Sequence, residues 1–382
     1  MKLGLDIGNS KVKGAVLDDD NILTNVIGFP SAVNHINDKK YLTYPHDDDF
    51  YIQVLESPLK HYDDILAVGD RAMDMPDYEE YDVASTSYKT NHPMTTSMLF
   101  GAIAQSTTEK DVSVKLAVSI PIVEAKTIGV ATNYQKALIG DHIVRVFRNN
   151  GVTDMTIHIT LAMISNEGQA GFLGLLDTVD KPFRAAINTV YASLGEDEDP
   201  VGSFEDFLVC DIGEGTTDIS VFRNKKFNPD YSFSITRGIG NLLEDAMANA
   251  RKEQLTIESR KDLQHVIEST NKRQAQRRAQ WETYVKPTEK AFIDRIVDTI
   301  IQAYGSRDYF DAIIFFGGGF SALTGYTIDT DHISMRDDYL FKELAARLKE
   351  LHKTVSITMG VPAPYAQTIN QRGLTQILTN VD

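Results

Sequence analysis

Cysteine is almost missing from this chain of 382 residues, which carries Cys210 alone. No disulfide can close within it, so the expectation is a reducing, cytoplasmic setting. Cys210 ends the apolar run 207–210 and reads as a small buried hydrophobe. Long hydrophobic runs are missing as well. Nothing approaches the ~18 apolar residues of a membrane helix, and the opening MKLGLD has charges at residues 2 and 6 and no apolar core. Secretion and membrane spanning are therefore not expected. Positive charge is in deficit, with 38 Lys and Arg against 54 Asp and Glu and a net charge of −16. Such a surface repels phosphate backbones and anionic lipid, so neither direct nucleic-acid binding nor a membrane partner is expected. His35, His46, His61, His92, His332 and His352 have no partner at metal-ligand spacing, which argues against a dedicated protein-only metal site. The P-loop and the Gly-x-Gly-x-x-Gly dinucleotide fingerprint are both absent.

What the chain does have is apolar mass: a 42% hydrophobic composition over this length suffices for more than one core, and the length favours two domains. Residues 3–7 form an apolar run, followed by alternating segments at 11–17 and 22–29 around the turn Asp18-Asp19-Asp20-Asn21, a pattern of consecutive strands. Further strands are expected at 65–68, 112–120, 142–148 and 155–163, with helix at 94–105 and from 168 to 176. The acidic stretch GEDEDPVGSFED at 195–206 lacks periodicity and reads as a loop between the two halves. Beyond it, strands are expected at 207–213, 217–223, 231–236 and 312–316, and 241–304 reads as mostly helical. The most informative feature is an internal echo. LGLDIGNSKVKGAVL at 3–17 and LVCDIGEGTTDISVF at 208–222 share an apolar run, Asp-Ile-Gly, a polar turn and a second strand. A repeat separated by half the chain lies far outside solenoid periods and implies duplication of a whole domain, with two halves facing each other across a cleft.

Each copy of the echo carries usable chemistry. In 6–13, Asp6 ends a strand, Gly8, Asn9 and Ser10 form a tight turn of backbone amides, and Lys11 and Lys13 follow on the returning strand. Amides in such a turn make an anion-binding concavity, and Lys13 adds a point charge for a phosphate. The same residues also suit a plain polar hairpin. In 211–218, Asp211, Gly213, Gly215, Thr216 and Thr217 repeat the geometry with hydroxyls able to approach phosphate oxygens. Two such hairpins would clamp a polyphosphate, with Asp6 and Asp211 holding Mg²⁺ through its retained waters. A third element, 312–323, is an apolar strand running into Gly317, Gly318, Gly319 and Phe320. It offers bare backbone for a flat base and ribose, with a helix N-terminus close to the phosphates, or simply a glycine turn.

These three segments resemble the first phosphate, second phosphate and adenosine motifs of the actin/heat-shock-chaperone/sugar-kinase superfamily. ISNEGQAG at 164–171 is similar to its first connecting motif, and PYAQTINQRG at 364–373 to its second, where small Ala366 and Gly373 suit close helix packing. The resemblance covers essentially the whole chain, and only its nucleotide motifs are specific. It implies an α/β, duplicated ribonuclease H-like (actin-like ATPase) fold with two lobes around a nucleotide cleft. Domain I would be 1–177 with a C-terminal helix 366–382 returning to it. Domain II would be 178–365, with a helical outer subdomain at about 241–304. ATP/ADP and Mg²⁺ are the implied cofactors. The family uses the carboxylate of the first connecting motif to orient the water that attacks the γ-phosphate. That role falls here on Glu167, with Gln169 as helper and Asp211 at the cation. From the residues alone, Glu167 equally suits the dipole of the helix it opens. Gly238 and Gly240 stand where relatives place glycines beneath the phosphates.

The superfamily serves kinases, chaperones and filaments alike. A chaperone of this type needs a peptide-binding domain after the nucleotide-binding half, and the chain ends soon after 364–373. A sugar or small-acid kinase needs a catalytic Asp away from the phosphate loops, and none stands out. LAVSIP at 116–121 and the helix at 94–105 look most like plasmid-segregating bacterial actins, the ParM/StbA group. That resemblance implies an ATP-driven filament of head-to-tail copies, reaching plasmid DNA through a separate DNA-binding adaptor. The kinase and a non-polymerising, nucleotide-gated scaffold are the alternatives. The charged run 251–278 fits a solvated helix face or a filament contact.

Overall fold

The computed structural model describes residues 1–46, 49–81, 88–177, 180–196, 201–269, 271–329, 332–363, 365–379 and 381. Residues 197–200 of the acidic loop, Pro364, and residues 178, 380 and 382 at the expected boundaries lie outside the described residues. The chain forms two compact units, Met1–Val179 with Thr368–Asp382, and Asp180–Gln367.

The first unit is built on a ten-stranded sheet. The strand Lys2–Ile7 is buried throughout. It pairs antiparallel with Lys11–Leu17 on one side and parallel with Asp111–Ile120 on the other. Helices or loops cover both faces of such a strand, which is why its sequence reads as one apolar run rather than an alternation. The turn at residues 18–22 is closed by the Asp18 carboxylate, which accepts from the amides of Asp20 at 3.0 Å and Ile22 at 2.8 Å, and Asn21 takes the left-handed backbone that Asn tolerates. Leu23–Pro30 then lies at the sheet edge, and Gly151–Asn166 extends the parallel run next to Asp111–Ile120. Ala32–Ile36 and Phe50–Glu56 enlarge the sheet where the pattern predicted no strand. Helix Pro93–Ser106 is buried on all sides, its few hydroxyls bonded to backbone carbonyls. It opens at the His92 cap with proline in its first turn and buries every residue from Met94 to Ala104. Helix Glu167–Leu175 crosses helix Ile369–Thr379 at bare backbone: a Cβ added to Gly373 would stand 1.7 Å from the Ala170 carbonyl oxygen, and one on Gly174 2.2 Å from that of Ile369.

In the second unit, Phe207–Ile212 pairs antiparallel with Thr217–Arg223 and parallel with Tyr309–Phe316, which pairs parallel with Thr354–Gly360. The order of hairpin, parallel strand, parallel strand is that of the first unit. The strand expected at 231–236 is shorter, Phe233–Ile235. Asn228 caps a 3-10 turn Pro229–Tyr231 ahead of it, where proline has no amide to give a ladder. Helices Ile239–Arg251, Arg260–Glu268 and Ala275–Tyr304 fill the region expected to be helical. The last turns its apolar stripe of Trp281, Val285, Phe292, Ile296 and Ile300 inward.

Candidate functional site

In the first unit the Asp6 carboxylate sits at the end of its strand, only 4% exposed. Directly across the ladder stands Lys13. Its ammonium is 3.3 Å from Asp6 Oδ2, and the Ser119 hydroxyl donates to Oδ1 at 3.3 Å. The turn between them closes through Gly8 N donating to the Lys11 carbonyl at 3.1 Å. Ser31 fastens it from the neighbouring segment, its amide donating to Ser10 O at 3.1 Å and its hydroxyl to Gly8 O at 2.7 Å. Among the described residues the amides of Asn9 and Ser10 have no acceptor, the arrangement an anion-binding turn requires. The Lys11 side chain is exposed and runs beside Gly28 on the next strand.

Glu167, 8% exposed, is the first residue of its helix. The Asn166 side chain caps that helix by accepting from Gln169 N at 2.8 Å. The Gln169 side chain is exposed, its oxygen 3.4 Å from the Asn166 amide nitrogen. Sequence reasoning missed Lys89, whose ammonium lies 3.5 Å from Glu167 Oε1 and donates to the Ile7 carbonyl at 3.3 Å. It also missed buried Glu124, which accepts from the backbone amides of Lys89 at 2.7 Å and Thr90 at 3.0 Å. Neither belongs to a recognisable string; only folding brings them together.

The second unit repeats the turn. Gly213 N donates to the Thr216 carbonyl at 2.9 Å, and Asp211 faces Asp218 across the ladder, where the first unit has lysine. The Thr216 hydroxyl donates to Asp218 Oδ2 at 3.2 Å. Carbonyls of the turn point to helix Ile239–Arg251: Gly213 O accepts from Ile239 N at 3.0 Å and Glu214 O from Gly240 N at 2.9 Å. Among the described residues the amides of Gly215 and Thr216 have no acceptor. Gly238 is needed for this approach, whereas Gly240 faces the movable ends of two side chains, Arg260 and Glu214. A Cβ on Gly238 would lie 2.4 Å from both turn carbonyls, and one on Gly240 2.4 Å from the Arg260 guanidinium. That guanidinium pairs with Glu214 at 3.4 Å. Thr217 is fully buried and its hydroxyl donates to Arg237 O at 3.0 Å, so it braces the loop.

The glycine turn packs on the same loop. Gly317 has a φ of +97°, and a Cβ there would meet the Ile212 carbonyl at 2.3 Å and Asp211 Oδ1 at 2.4 Å. Gly319 is also tight against Ile212, at 2.7 Å, whereas at Gly318 the nearest atom would be 3.7 Å away on Gln367. Phe320 corrects one detail of the expectation: its ring is fully buried, stacked on Phe315 at 5.8 Å and close to Tyr326. It is a packing residue, and only its backbone is available to a ligand. Beside the carboxylates, burial and then the charges of Asp211 and Asp218 push the Cys210 thiol well above its ordinary pKa. It stays protonated and inert, as a buried hydrophobe should.

The residues fit a hydrated hard cation. Asp211 and Asp218 stand opposite each other at the loop, but among the described residues no three His, Cys, Asp or Glu side chains form a metal cage. A cation there would draw its other ligands from water and phosphate, the habit of Mg²⁺. No helix among the described residues is long and apolar enough to cross a membrane.

Two family profiles match the sequence: actin-like proteins N-terminal domain over residues 4–169, and archaeal actin homologue MreB-like, C-terminal, over residues 209–326. Together they take in well over half of the chain, the first matching an actin-like N-terminal domain and the second an actin-homologue C-terminal domain. No curated protein matches the sequence. Among solved structures, an archaeal actin homologue is similar at 15% identity and a TM-score of 0.63, covering 99% of each chain. Bacillus thuringiensis ParM with ATP is similar at 16% identity and a TM-score of 0.59, covering 100% of this chain and 99% of that one. A non-polymerisable quadruple mutant of pCBH ParM is similar at 14% identity and a TM-score of 0.61, covering 99% and 98%. The fold is the actin-like α/β fold.

Proposed function

We propose that this chain binds ATP with Mg²⁺, hydrolyses it, and assembles head to tail into filaments whose turnover follows hydrolysis. The observation that carries this reading is the duplicated turn, closed identically in both units but backed by Lys13 in one and by Asp218 in the other. One copy suits phosphate charge and the other suits the cation, the two requirements of a metal-bound triphosphate. Mg²⁺, when bound, would neutralise developing negative charge on the phosphates. The chain's own residues do the rest. Amides of Asn9, Ser10, Gly215 and Thr216 bind phosphate oxygens, Lys13 balances their charge, and Glu167 orients the attacking water and accepts its proton. Gly318, the open glycine of its turn, leaves room for the adenosine.

Similar structures include one ParM with ATP and another described as a non-polymerisable quadruple mutant, a description that implies a polymerising parent; nucleotide binding and polymerisation are carried to this chain as part of the reading. The finer role is plasmid segregation. The net charge of −16 favours DNA contact through a basic adaptor rather than directly. Sedimentation with ATP and Mg²⁺ tests the reading: nucleotide-dependent pelleting supports it. Phosphorylation of a sugar without pelleting would replace it with a kinase.

A further inference from the structure

The residue that the proposed hydrolysis does not yet use is Lys89. Its backbone is fixed on both sides. Glu124, 2% exposed, grips the consecutive amides of Lys89 and Thr90 with its two oxygens, and the Lys89 carbonyl accepts from the Thr95 hydroxyl at 2.7 Å. Thr95 is itself paired with the Tyr81 hydroxyl at 2.5 Å, in the buried first turn of helix Pro93–Ser106. From this mount the ammonium reaches, among the described residues, the carbonyl of Ile7, between Asp6 and the first turn, and the Glu167 carboxylate. The Lys89 side chain is 16% exposed and that of Glu167 10%, so solvent screens this ion pair less than a surface one.

We propose that Lys89 is a positioning residue for ATP hydrolysis: it ties Glu167 to the first phosphate turn, so that the carboxylate meets the water at a fixed distance from the γ-phosphate. A lone carboxylate at a helix start rotates among several rotamers. Tethering it to the turn that carries the phosphate removes that freedom, and misplacement of about 1 Å can cost on the order of 100-fold in rate. Buried Glu124 has the same purpose one step back, since it holds the lysine's backbone rather than its charge. This inference rests on the ATPase reading of the same site.

The test compares wild type, Lys89→Met, Glu167→Gln and the double variant, each scored for ATP turnover, nucleotide affinity and melting temperature. Lys89→Met is expected to lower kcat by about 10-fold or more while KM for ATP changes less than about 3-fold, because the lost contact acts on the water and not on substrate binding. In the Glu167→Gln background the same change should cost nothing further, a non-additivity that a purely structural role would not produce. Glu124→Gln, which spares both side chains of the pair, is expected to lower kcat by a smaller factor, and it serves as the probe where Lys89→Met does not fold. Equal turnover in wild type and Lys89→Met, or equal losses with and without Glu167, would overturn the inference and leave the ATPase reading standing. A wild type that neither binds nor hydrolyses ATP would overturn both.

Discussion

The first phosphate-type turn and its copy in the second unit share almost everything that the backbone can share. Both end a fully buried strand, both close from the glycine amide to the fourth residue's carbonyl, and both are followed by an antiparallel strand. They part at the residue across the ladder from the aspartate, lysine at 13 and aspartate at 218. They part again in support: Ser31 fastens the first turn, whereas the second leans on a helix N-terminus and a glycine turn. The lesson is that duplication conserved the geometry and divided the chemistry, one copy turning cationic and the other anionic.

The largest effect expected falls on Glu167, the proposed general base. Glu167→Ala should lower ATP turnover by about 100-fold or more, within the range of general-base loss, while nucleotide affinity measured by calorimetry stays near wild type. Next comes the crossing that holds Glu167's helix. Gly373→Ala must displace the Ala170 carbonyl from 1.7 Å, and overpacking of this kind costs about 1–3 kcal/mol or more in denaturant unfolding. Gly318→Ala, with 3.7 Å of room, should fold like wild type and weaken only nucleotide binding. The cross-ladder difference can be broken directly. Lys13→Met should weaken ATP affinity by about 1–2 kcal/mol even without magnesium, whereas Asp218→Asn should leave magnesium-free binding intact and reduce the gain that magnesium brings.

The smallest effects concern pH and arise in the first unit. His142 is buried, its Nε2–H donating to Leu138 O at 2.8 Å and its Nδ1 paired with the Ser57 hydroxyl at 2.9 Å. Burial lowers its pKa in the folded state, which outweighs the carbonyl and Asp141. A depressed pKa means that its contribution is present above the unfolded value and is lost as pH falls through the folded one. His158, partly exposed between Asp141 and Asp111, is raised by those two carboxylates. Its contribution is present below the unfolded value and is lost as pH rises through the folded one. Melting curves should therefore show His142→Asn reducing the acid loss of stability and His158→Gln reducing a smaller loss on the alkaline side.

Much of this was legible in order of strand pattern and glycine. The DIG echo, the buried runs 3–7 and 207–210 and the helix after His92 each follow from local residue choice, and the structure places them as read. The strands Ala32–Ile36 and Phe50–Glu56 were not legible, because short strands interrupted by polar residues have no periodicity of their own and form by pairing with distant neighbours. Within the candidate site, motif residues could be named but their allegiances could not. Thr217 and Phe320 are packing residues, and Lys89 and Glu124 matter only through contacts with chain segments far away in sequence.

The central claim is that the two unlike turns serve one nucleotide. Titration calorimetry of ATP with magnesium on wild type, Asp6→Asn, Asp211→Asn and the double variant tests it most directly. The account predicts one ATP per chain, weakened by either substitution, with the double variant losing less than the sum of the two single losses. Binding indifferent to both substitutions, or two independent sites each lost with one of them, would contradict it.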